Sequence, residues 1–282
     1  MASSTRWSFR GAAVTAGQVG EPAAGESLHQ TFQVRRREWR AQRRRTFLLG
    51  AVWWGPGLVL AGIAAGASTR FPAFGLLVTV LGFAAAVNVG LNRPRSLVAI
   101  QERATAETAT GRILRAVEIR GGAKVLHDRV LTGSAGSFEI EHVVISPRGV
   151  FLVDTKLWEG KSVRIFGATM FVDLHDQADM LKEFEERARI LGEALTAEAA
   201  AHDEVSVVTV TPILAVHHEH LPGTPRVMGG VVVLLPPQLP VVLRGAHMRW
   251  QASGVAALIA AAERILVRKS PPQPAARPRP RG

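Results

Sequence analysis

Two long uncharged runs near the beginning of the chain limit its fold more than any other feature. Neither 46–69 nor 71–92 contains Asp, Glu, Lys or Arg, and Arg70 alone separates the two runs. Each run reaches the roughly 20 residues that a helix needs to cross the hydrocarbon core of a bilayer. We therefore predict two transmembrane helices, at 46–69 and 71–92, joined as an antiparallel hairpin. The alternative is a pair of helices buried in a soluble core, which rarely contain so many consecutive apolar residues.

A cluster of arginines lies directly before the first run. It predicts a basic juxtamembrane arm at 35–45, for which anionic lipid headgroups are the expected partner and nucleic acid the alternative. Arg93 and Arg95 follow the second run. Because basic residues favour the cytoplasmic side of a membrane, both chain ends are predicted to be cytoplasmic. The seven arginines of the arm are Arg35, Arg36, Arg37, Arg40, Arg43, Arg44 and Arg45.

The net charge of +11 comes from these appendages and from the tail of the chain. Residues 96–267 carry a net charge of −3, so the overall charge is weak support for a nucleic-acid-binding surface. The absence of cysteine excludes disulfide scaffolds and thiolate metal sites. The excess of Arg over Lys and the abundance of Ala favour a bacterial source. Together with the hairpin, this composition predicts a multi-pass protein of the bacterial plasma membrane.

The rest of the chain divides into three parts. We predict a disordered segment at 1–34, an α/β domain at 97–268 and a disordered Pro/Arg-rich tail at 269–282. Hydrophobic periodicity within the domain predicts helices at 97–118, 176–200 and 253–267. The predicted strands or β-rich stretches are 123–131, 138–146, 149–156, 162–166, 169–174, 205–216 and 231–235.

A β-hairpin predicted at 138–156 carries the residues that most clearly indicate a catalytic or metal-binding function. Asp154 and Lys156 share a face of its second strand because side chains alternate along a strand. Burying an acid and an amine there is costly unless both have partners. Glu141 on the neighbouring strand could supply a second carboxylate. Two carboxylates with a lysine can bind Mg²⁺ and direct a water, although a simple surface ion pair is the alternative for Asp154 and Lys156.

An ordered set of motifs extends this pattern over 104–177. The motifs are Ala106-Glu107, Val125-Leu126-His127-Asp128, Gly133-Ser134, Ile140-Glu141-His142-Val143-Val144, Pro147-x-Gly149-Val150-Phe151, Asp154-x-Lys156 and Gln177. In this order they resemble the nuclease-related (NERD) domain, a branch of the restriction-endonuclease-like PD-(D/E)xK superfamily. The resemblance implies a three-layer α/β domain around a mixed central sheet, preceded here by the transmembrane hairpin.

The resemblance also implies roles for individual residues. Glu141 and Asp154 would bind the metal, putatively Mg²⁺, Lys156 would be the catalytic lysine, Glu107 the helical acid and Gln177 an accessory polar residue. Glu107 precedes the apolar Leu114 by seven residues, which places it on the sheet-facing side of its helix. A first-turn glutamate facing solvent is the alternative for Glu107.

One departure from the family pattern concerns the metal-binding acid itself. The family usually has Asn-x-Asp before the histidine, whereas this chain has Glu139-Ile140-Glu141. The longer side chain of Glu141 shifts the carboxylate, and phosphoryl chemistry is sensitive to such displacement.

Other histidines give weaker signals. His142 is predicted to point away from Glu141, and His217, His218 and His220 are predicted to lie in a solvated loop.

The sequence therefore predicts a membrane-anchored, Mg²⁺-dependent nuclease that cleaves phosphodiester bonds of DNA or RNA on the cytoplasmic side. A catalytically degenerate domain that serves as a membrane-tethered binding or scaffold module is the alternative. The sequence indicates no particular protein partner.

Overall fold

The computed structural model describes residues 23–69, 71–91, 94–133, 136–200, 207–219, 221, 223–245 and 247–269. Most of the predicted disordered segments at 1–34 and 269–282 lies outside these ranges. The helices are α1 (Glu26–Thr69), α2 (Pro72–Leu91), α3 (Arg95–Gly121), α4 (Ala178–Ala200), α5 (Leu239–Gly245) and α6 (Ala252–Ile265). The strands are β1 (Lys124–Gly133), β2 (Gly136–Ser146), β3 (Gly149–Leu157), β4 (Val163–Phe166), β5 (Thr169–Val172), β6 (His175–Asp176), β7 (Val210–His217), β8 (Arg226–Met228), β9 (Val231–Leu234) and β10 (Leu266–Arg268).

The main sheet has the strand order β10-β1-β2-β3-β7-β9-β8. Strands β1, β2 and β3 form an antiparallel meander, whereas β3, β7 and β9 run parallel to one another. The sheet is therefore mixed, as predicted. Strands β4, β5 and β6 form a separate small sheet between β3 and α4 in the chain. Parallel pairing of β3 with β7 requires this long connection, because parallel strands cannot be joined by a tight turn.

Helices cover the main sheet on both faces. On one face, α4 buries Leu181, Phe184, Ala188 and Leu191, whose spacing of three or four residues forms one apolar stripe. Helix α6 adds to the same core. On the other face, the core includes residues of α3 and α5. This arrangement is a three-layer α/β domain and fits a restriction-endonuclease-like fold.

The two segments predicted to cross a membrane are helical in the structure. Helix α1 runs without interruption from the N-terminal segment through the basic arm and the first uncharged run, with Pro56 inside it. Helix α2 packs against it, and the contact leaves no space for a Cβ at Gly75 beside the carbonyl of Gly62. Among the described residues, none of the helices combines the length and apolar character that crossing a bilayer requires. The predicted spans at 46–69 and 71–92 are therefore not supported.

Two of the predicted boundaries that differ from the structure have a direct physical reason. Residues 26–34 were predicted to lack a fold, yet α1 begins at Glu26 because Ser27 and Phe32 are buried against the rest of the chain. The last helix was predicted to continue to 267 but ends at Ile265, where the chain becomes strand β10. Backbone pairing of β10 with β1 replaces the helical hydrogen bonds there and covers the edge of the sheet.

Candidate functional site

Strands β2 and β3 separate at the positions of the two candidate metal-binding acids. Their ladder ends at the pair His142 and Val153, whereas β3 remains paired with β7 to its last residue. Glu141 and Asp154 therefore lie where β2 leaves β3. In the resulting gap, the backbone N–H of Thr155 donates a 2.7 Å hydrogen bond to Glu141 Oε2. The side chain of Glu141 thus replaces the backbone acceptor that β2 no longer provides.

The carboxyl groups of Glu141 and Asp154 lie close enough for each to act on the ionisation of the other. Burial raises the pKa of Glu141 well above its ordinary value, and the negative charges of Asp154 and Glu107 raise it further. Lys156 Nζ lies 2.6 Å from Asp154 Oδ2. The predicted acid pair and its lysine are therefore close together, with both members of the ion pair partly exposed.

Glu107, on helix α3, lies close enough to Glu141 for its charge to raise the pKa of Glu141. Leu114 and Val117 on this helix are buried in the core against the sheet, which directs Glu107 inward and leaves it only 2% exposed. Burial raises its pKa to about 7, with a further contribution from the charge of Asp128 and a partial offset from Arg103 and the backbone of Gly25. Among buried side-chain atoms in the described part of the chain, Glu107 Oε1 is one that has no hydrogen-bond partner.

The match to a known family covers this whole arrangement. Residues 102–217 match the family model described as a nuclease-related domain (NERD). This chain contains a nuclease-related domain. The match includes Glu107, Glu141, Asp154 and Lys156, and the family is consistent with the restriction-endonuclease-like superfamily. No curated protein and no solved structure matches the chain.

Arg103 is a residue of the nuclease-related domain that sequence reasoning missed. It lies one helical turn before Glu107 on α3, and its Nη2 donates a 2.8 Å hydrogen bond to Glu141 Oε1. The charges of Asp154 and Glu107 also act on its guanidinium. The spacing of four residues from Glu107 was a usable signal, since residues four apart share one helix face.

Asp128 is a second missed residue, although it belongs to one of the family motifs. It is buried on β1 and has a left-handed backbone φ of 49°. The hydroxyl of Ser27 donates a 2.7 Å hydrogen bond to Asp128 Oδ1, and the Ser27 N–H donates one of 3.2 Å to Oδ2. Gly111 on α3 permits this approach, because a Cβ there would collide with the side chain of Ala24. We call Glu107, Asp128, Glu141 and Asp154 together the acidic group. The first turn of α1 therefore docks onto the acidic group.

Gln177 does not join the acids. Its side-chain amide donates a 3.0 Å hydrogen bond to the carbonyl of His175, and its own carbonyl accepts the N–H of Leu181 at the beginning of α4. Within the described ranges, no hydrogen bond connects Gln177 with Glu107, Glu141 or Asp154. Its contacts support a local role at the N-terminus of α4.

The histidines also lie away from the candidate metal-binding position. His142 is fully buried and its Nδ1 is 2.9 Å from His127 Nδ1, so it points away from Glu141 as predicted. His217 was predicted to lie in a solvated loop but ends β7, where its Nε2 is 3.0 Å from Thr110 Oγ1. Pairing of β7 with β3 draws His217 out of solvent. His218 follows the strand, and His220 lies outside the described residues.

The basic arm lies within α1. Arg36 and Arg43 stack over the rings of Phe32 and Trp39, at 5.9 Å and 5.3 Å from the ring centres. The side chain of Arg44 lies outside the part of the chain that the structure describes. The remaining arginines of the arm, Arg35, Arg37, Arg40 and Arg45, are exposed.

The acidic group has the chemistry to bind a hard divalent cation. Carboxylate oxygens are preferred by Mg²⁺, which needs only one or two of them because it retains several waters. The two acids at the strand gap repel each other when ionised, and a cation would relieve that repulsion. In the part of the chain that is described, no cluster of three or more His, Cys, Asp or Glu residues is arranged for a metal. Glu141 and Asp154 could supply carboxylate oxygens to such a cation.

Proposed function

We propose that the nuclease-related domain hydrolyses phosphodiester bonds of DNA or RNA with Mg²⁺. In this proposal Glu141 and Asp154 hold the metal, which supplies Lewis-acid polarisation of the phosphate and an activated water. Lys156 directs the attacking water from beside Asp154 and stabilises the charge that develops on the phosphate. Glu107 accepts or releases a proton nearby, because its pKa of about 7 lies near neutral pH.

The separation of β2 from β3 is the observation that supports this function best. It places Glu141 beside Asp154 and leaves Lys156 partly exposed at one opening in the sheet. A purely structural ion pair between Lys156 and Asp154 would not require a second, largely buried carboxyl group beside it. Bringing two acids together raises the free-energy cost of ionising them. Proteins commonly retain such pairs at functional sites.

A membrane-tethered binding or scaffold module is the second candidate function. Arg103 occupies one oxygen of Glu141 and Thr155 the other, so both oxygens already have partners. Glu141 also stands where the family usually has Asp, and 96–267 has a net charge of −3. These features favour a domain that binds a partner without cleaving nucleic acid, because duplex binding normally depends on basic contacts to phosphates.

Cleavage by the full-length protein distinguishes the two functions. Single- and double-stranded DNA and RNA are incubated with Mg²⁺, Mn²⁺ or EDTA, in parallel with Lys156→Ala and with Lys182→Ala as the control. Lys182 is an exposed lysine on α4, outside the acidic group. Metal-dependent cleavage that is lost only in Lys156→Ala supports the nuclease. Absence of cleavage of every substrate supports the scaffold.

We also propose that the helical hairpin of α1 and α2 associates with the bacterial plasma membrane, with both chain ends in the cytoplasm. Apolar side chains on the hairpin are strongly exposed: Leu60 is 66%, Ile63 63% and Leu76 69% exposed. An apolar surface of this kind is costly in water and is stabilised by lipid. The exposed arginines of the basic arm would contact anionic headgroups at about 1 kcal/mol each.

Cell fractionation tests this location. We expect the full-length protein in the membrane fraction and a reporter fused after Gly282 in the cytoplasm. Recovery of the protein in the soluble fraction would contradict membrane association, and a periplasmic reporter signal would contradict the orientation.

A further inference from the structure

Arg103 is a cation in direct contact with the strand-gap acid Glu141. Its guanidinium is 2.8 Å from Glu141 Oε1, and its side chain is 54% exposed whereas that of Glu141 is 12% exposed. The guanidinium therefore lies at the solvent-exposed edge of the acidic group, where it contacts the Glu141 carboxylate and remains partly in solvent. Helix α3 fixes its starting point, because the neighbouring Ala104 is fully buried.

A divalent cation at Glu141 would compete with Arg103 for the same carboxylate. Glu141 has two oxygens, and Thr155 N–H occupies the one that Arg103 does not. A metal that binds Glu141 must therefore share or take the oxygen bound by Arg103, and the two positive charges repel each other at that distance. Lys156 pairs with the other proposed ligand, Asp154, and so does not compete with Arg103 for Glu141.

We propose that Arg103 has a stand-in role for the metal, in which its guanidinium neutralises Glu141 when no metal is bound. When a metal binds, Arg103 is displaced and then binds a phosphate of the nucleic-acid substrate. The inference rests on the proposed nuclease function. A guanidinium has five N–H donors and no acceptor, and it matches the geometry of a phosphate well. The flexible, half-exposed side chain of Arg103 can turn from the acid to a substrate without a movement of the backbone. One residue thus keeps the acids together without metal and supplies a phosphate contact in a domain of negative net charge.

The proposal predicts opposite effects of one substitution on two ligands. In Arg103→Gln, Mn²⁺ should bind about tenfold more tightly, since the competing charge is gone, whereas affinity for a single-stranded oligonucleotide in Ca²⁺ should fall about tenfold. Arg103→Lys, which keeps the charge, should lie between the wild type and Arg103→Gln for both ligands. A residue that serves only as a structural ion pair at Glu141 would not lower the affinity for the oligonucleotide when removed.

Calorimetric titration of the full-length protein with Mn²⁺ and fluorescence anisotropy with a labelled oligonucleotide measure these effects. Arg112→Gln is the matched control, because Arg112 is exposed on the same helix, and it should leave both affinities unchanged. Circular dichroism and the Arg103→Lys variant show that altered binding is not due to unfolding. Mn²⁺ affinity of Arg103→Gln equal to or below that of the wild type overturns the stand-in role. Unchanged oligonucleotide affinity overturns the phosphate contact.

The same titrations separate this inference from the proposed function. If wild type and Arg103→Gln both bind no Mn²⁺, the metal site and the stand-in role are both wrong. If Mn²⁺ binding tightens in Arg103→Gln but no substrate is cleaved by the wild type, the role of Arg103 at Glu141 stands and the nuclease activity is wrong.

Discussion

Glu141 Oε2 accepts a 2.7 Å hydrogen bond from the backbone N–H of Thr155, the residue between Asp154 and Lys156. This bond joins two strands at the point where their backbone ladder has ended. It also fixes the carboxyl group of Glu141 beside that of Asp154. The glutamate that departs from the family pattern therefore has a structural use in addition to its proposed use in metal binding, because its extra methylene helps it reach across the gap between the strands.

Substitutions of Glu141 should separate these two uses. Glu141→Gln keeps an oxygen for the Thr155 N–H but removes the charge, so stability should change by less than about 1 kcal/mol while Mn²⁺ binding is lost. Glu141→Ala leaves that N–H without its acceptor and should cost about 1–3 kcal/mol. Urea unfolding and Mn²⁺ titration measure the two properties. Mn²⁺ binding by Glu141→Gln at wild-type affinity would show that this acid is not a ligand.

Glu107 should make the protein less stable as the pH rises. Its pKa is raised from an ordinary value of 4.5 to about 7 by burial and by Asp128, so the folded state retains a proton that the unfolded state has released. The stabilising contribution is complete below about pH 4.5 and is lost as the pH approaches 7, by an amount on the order of 3 kcal/mol. Glu107→Gln should abolish this part of the pH dependence.

Urea unfolding between pH 4.5 and 8 measures this effect. The exposed residue Glu102 on the same helix supplies the control, and Glu102→Gln should retain the wild-type slope. A Glu107→Gln variant whose stability falls with pH as steeply as the wild type would mean that Glu107 is ionised in the folded protein throughout this range.

The contact between Ser27 and Asp128 should stabilise the docking of α1 onto the nuclease-related domain. Both residues are buried, and the Ser27 hydroxyl is 2.7 Å from the Asp128 carboxylate. Ser27→Ala removes a buried hydrogen bond to a charged group and should cost about 1.5–3 kcal/mol of unfolding free energy. Amide hydrogen exchange in the first turns of α1 should also become faster.

The exposed Ser68 on α1 provides a control of the same residue type, since its hydroxyl donates a 3.0 Å hydrogen bond to the carbonyl of Ala65 on the same helix. We expect Ser68→Ala to change stability by less than about 0.5 kcal/mol. Equal effects of Ser27→Ala and Ser68→Ala would contradict a stabilising contact between α1 and the domain.

Local sequence patterns predicted the core of the domain and part of its candidate site. Alternation along β3 placed Asp154 and Lys156 on one face, and the seven-residue spacing from Leu114 placed Glu107 toward the sheet. Both inferences depend on the repeat of a single strand or helix, which the sequence contains directly. The family match at 102–217 confirms the resemblance from which the acid roles were inferred.

Contacts between distant segments could not be predicted in the same way. Ser27 and Asp128 are 101 residues apart, and no periodicity connects them. The same limit applies to Arg103, whose partner Glu141 lies 38 residues further along the chain. The start of α1 was misjudged for this reason, because the polar composition of its first turns gives no sign of the tertiary contacts that stabilise them.

The rate of nucleic-acid cleavage as a function of Mg²⁺ concentration tests the central claim most directly, with the wild type, Asp154→Asn and Asp179→Asn compared. Asp179 is exposed in the first turn of α4, away from the strand gap. We predict that wild type and Asp179→Asn cleave with the same saturable dependence on Mg²⁺, and that Asp154→Asn loses at least about 100-fold in rate. Cleavage by Asp154→Asn at the wild-type rate, or wild-type cleavage that persists in EDTA, would contradict a metal-dependent nuclease centred on Glu141 and Asp154.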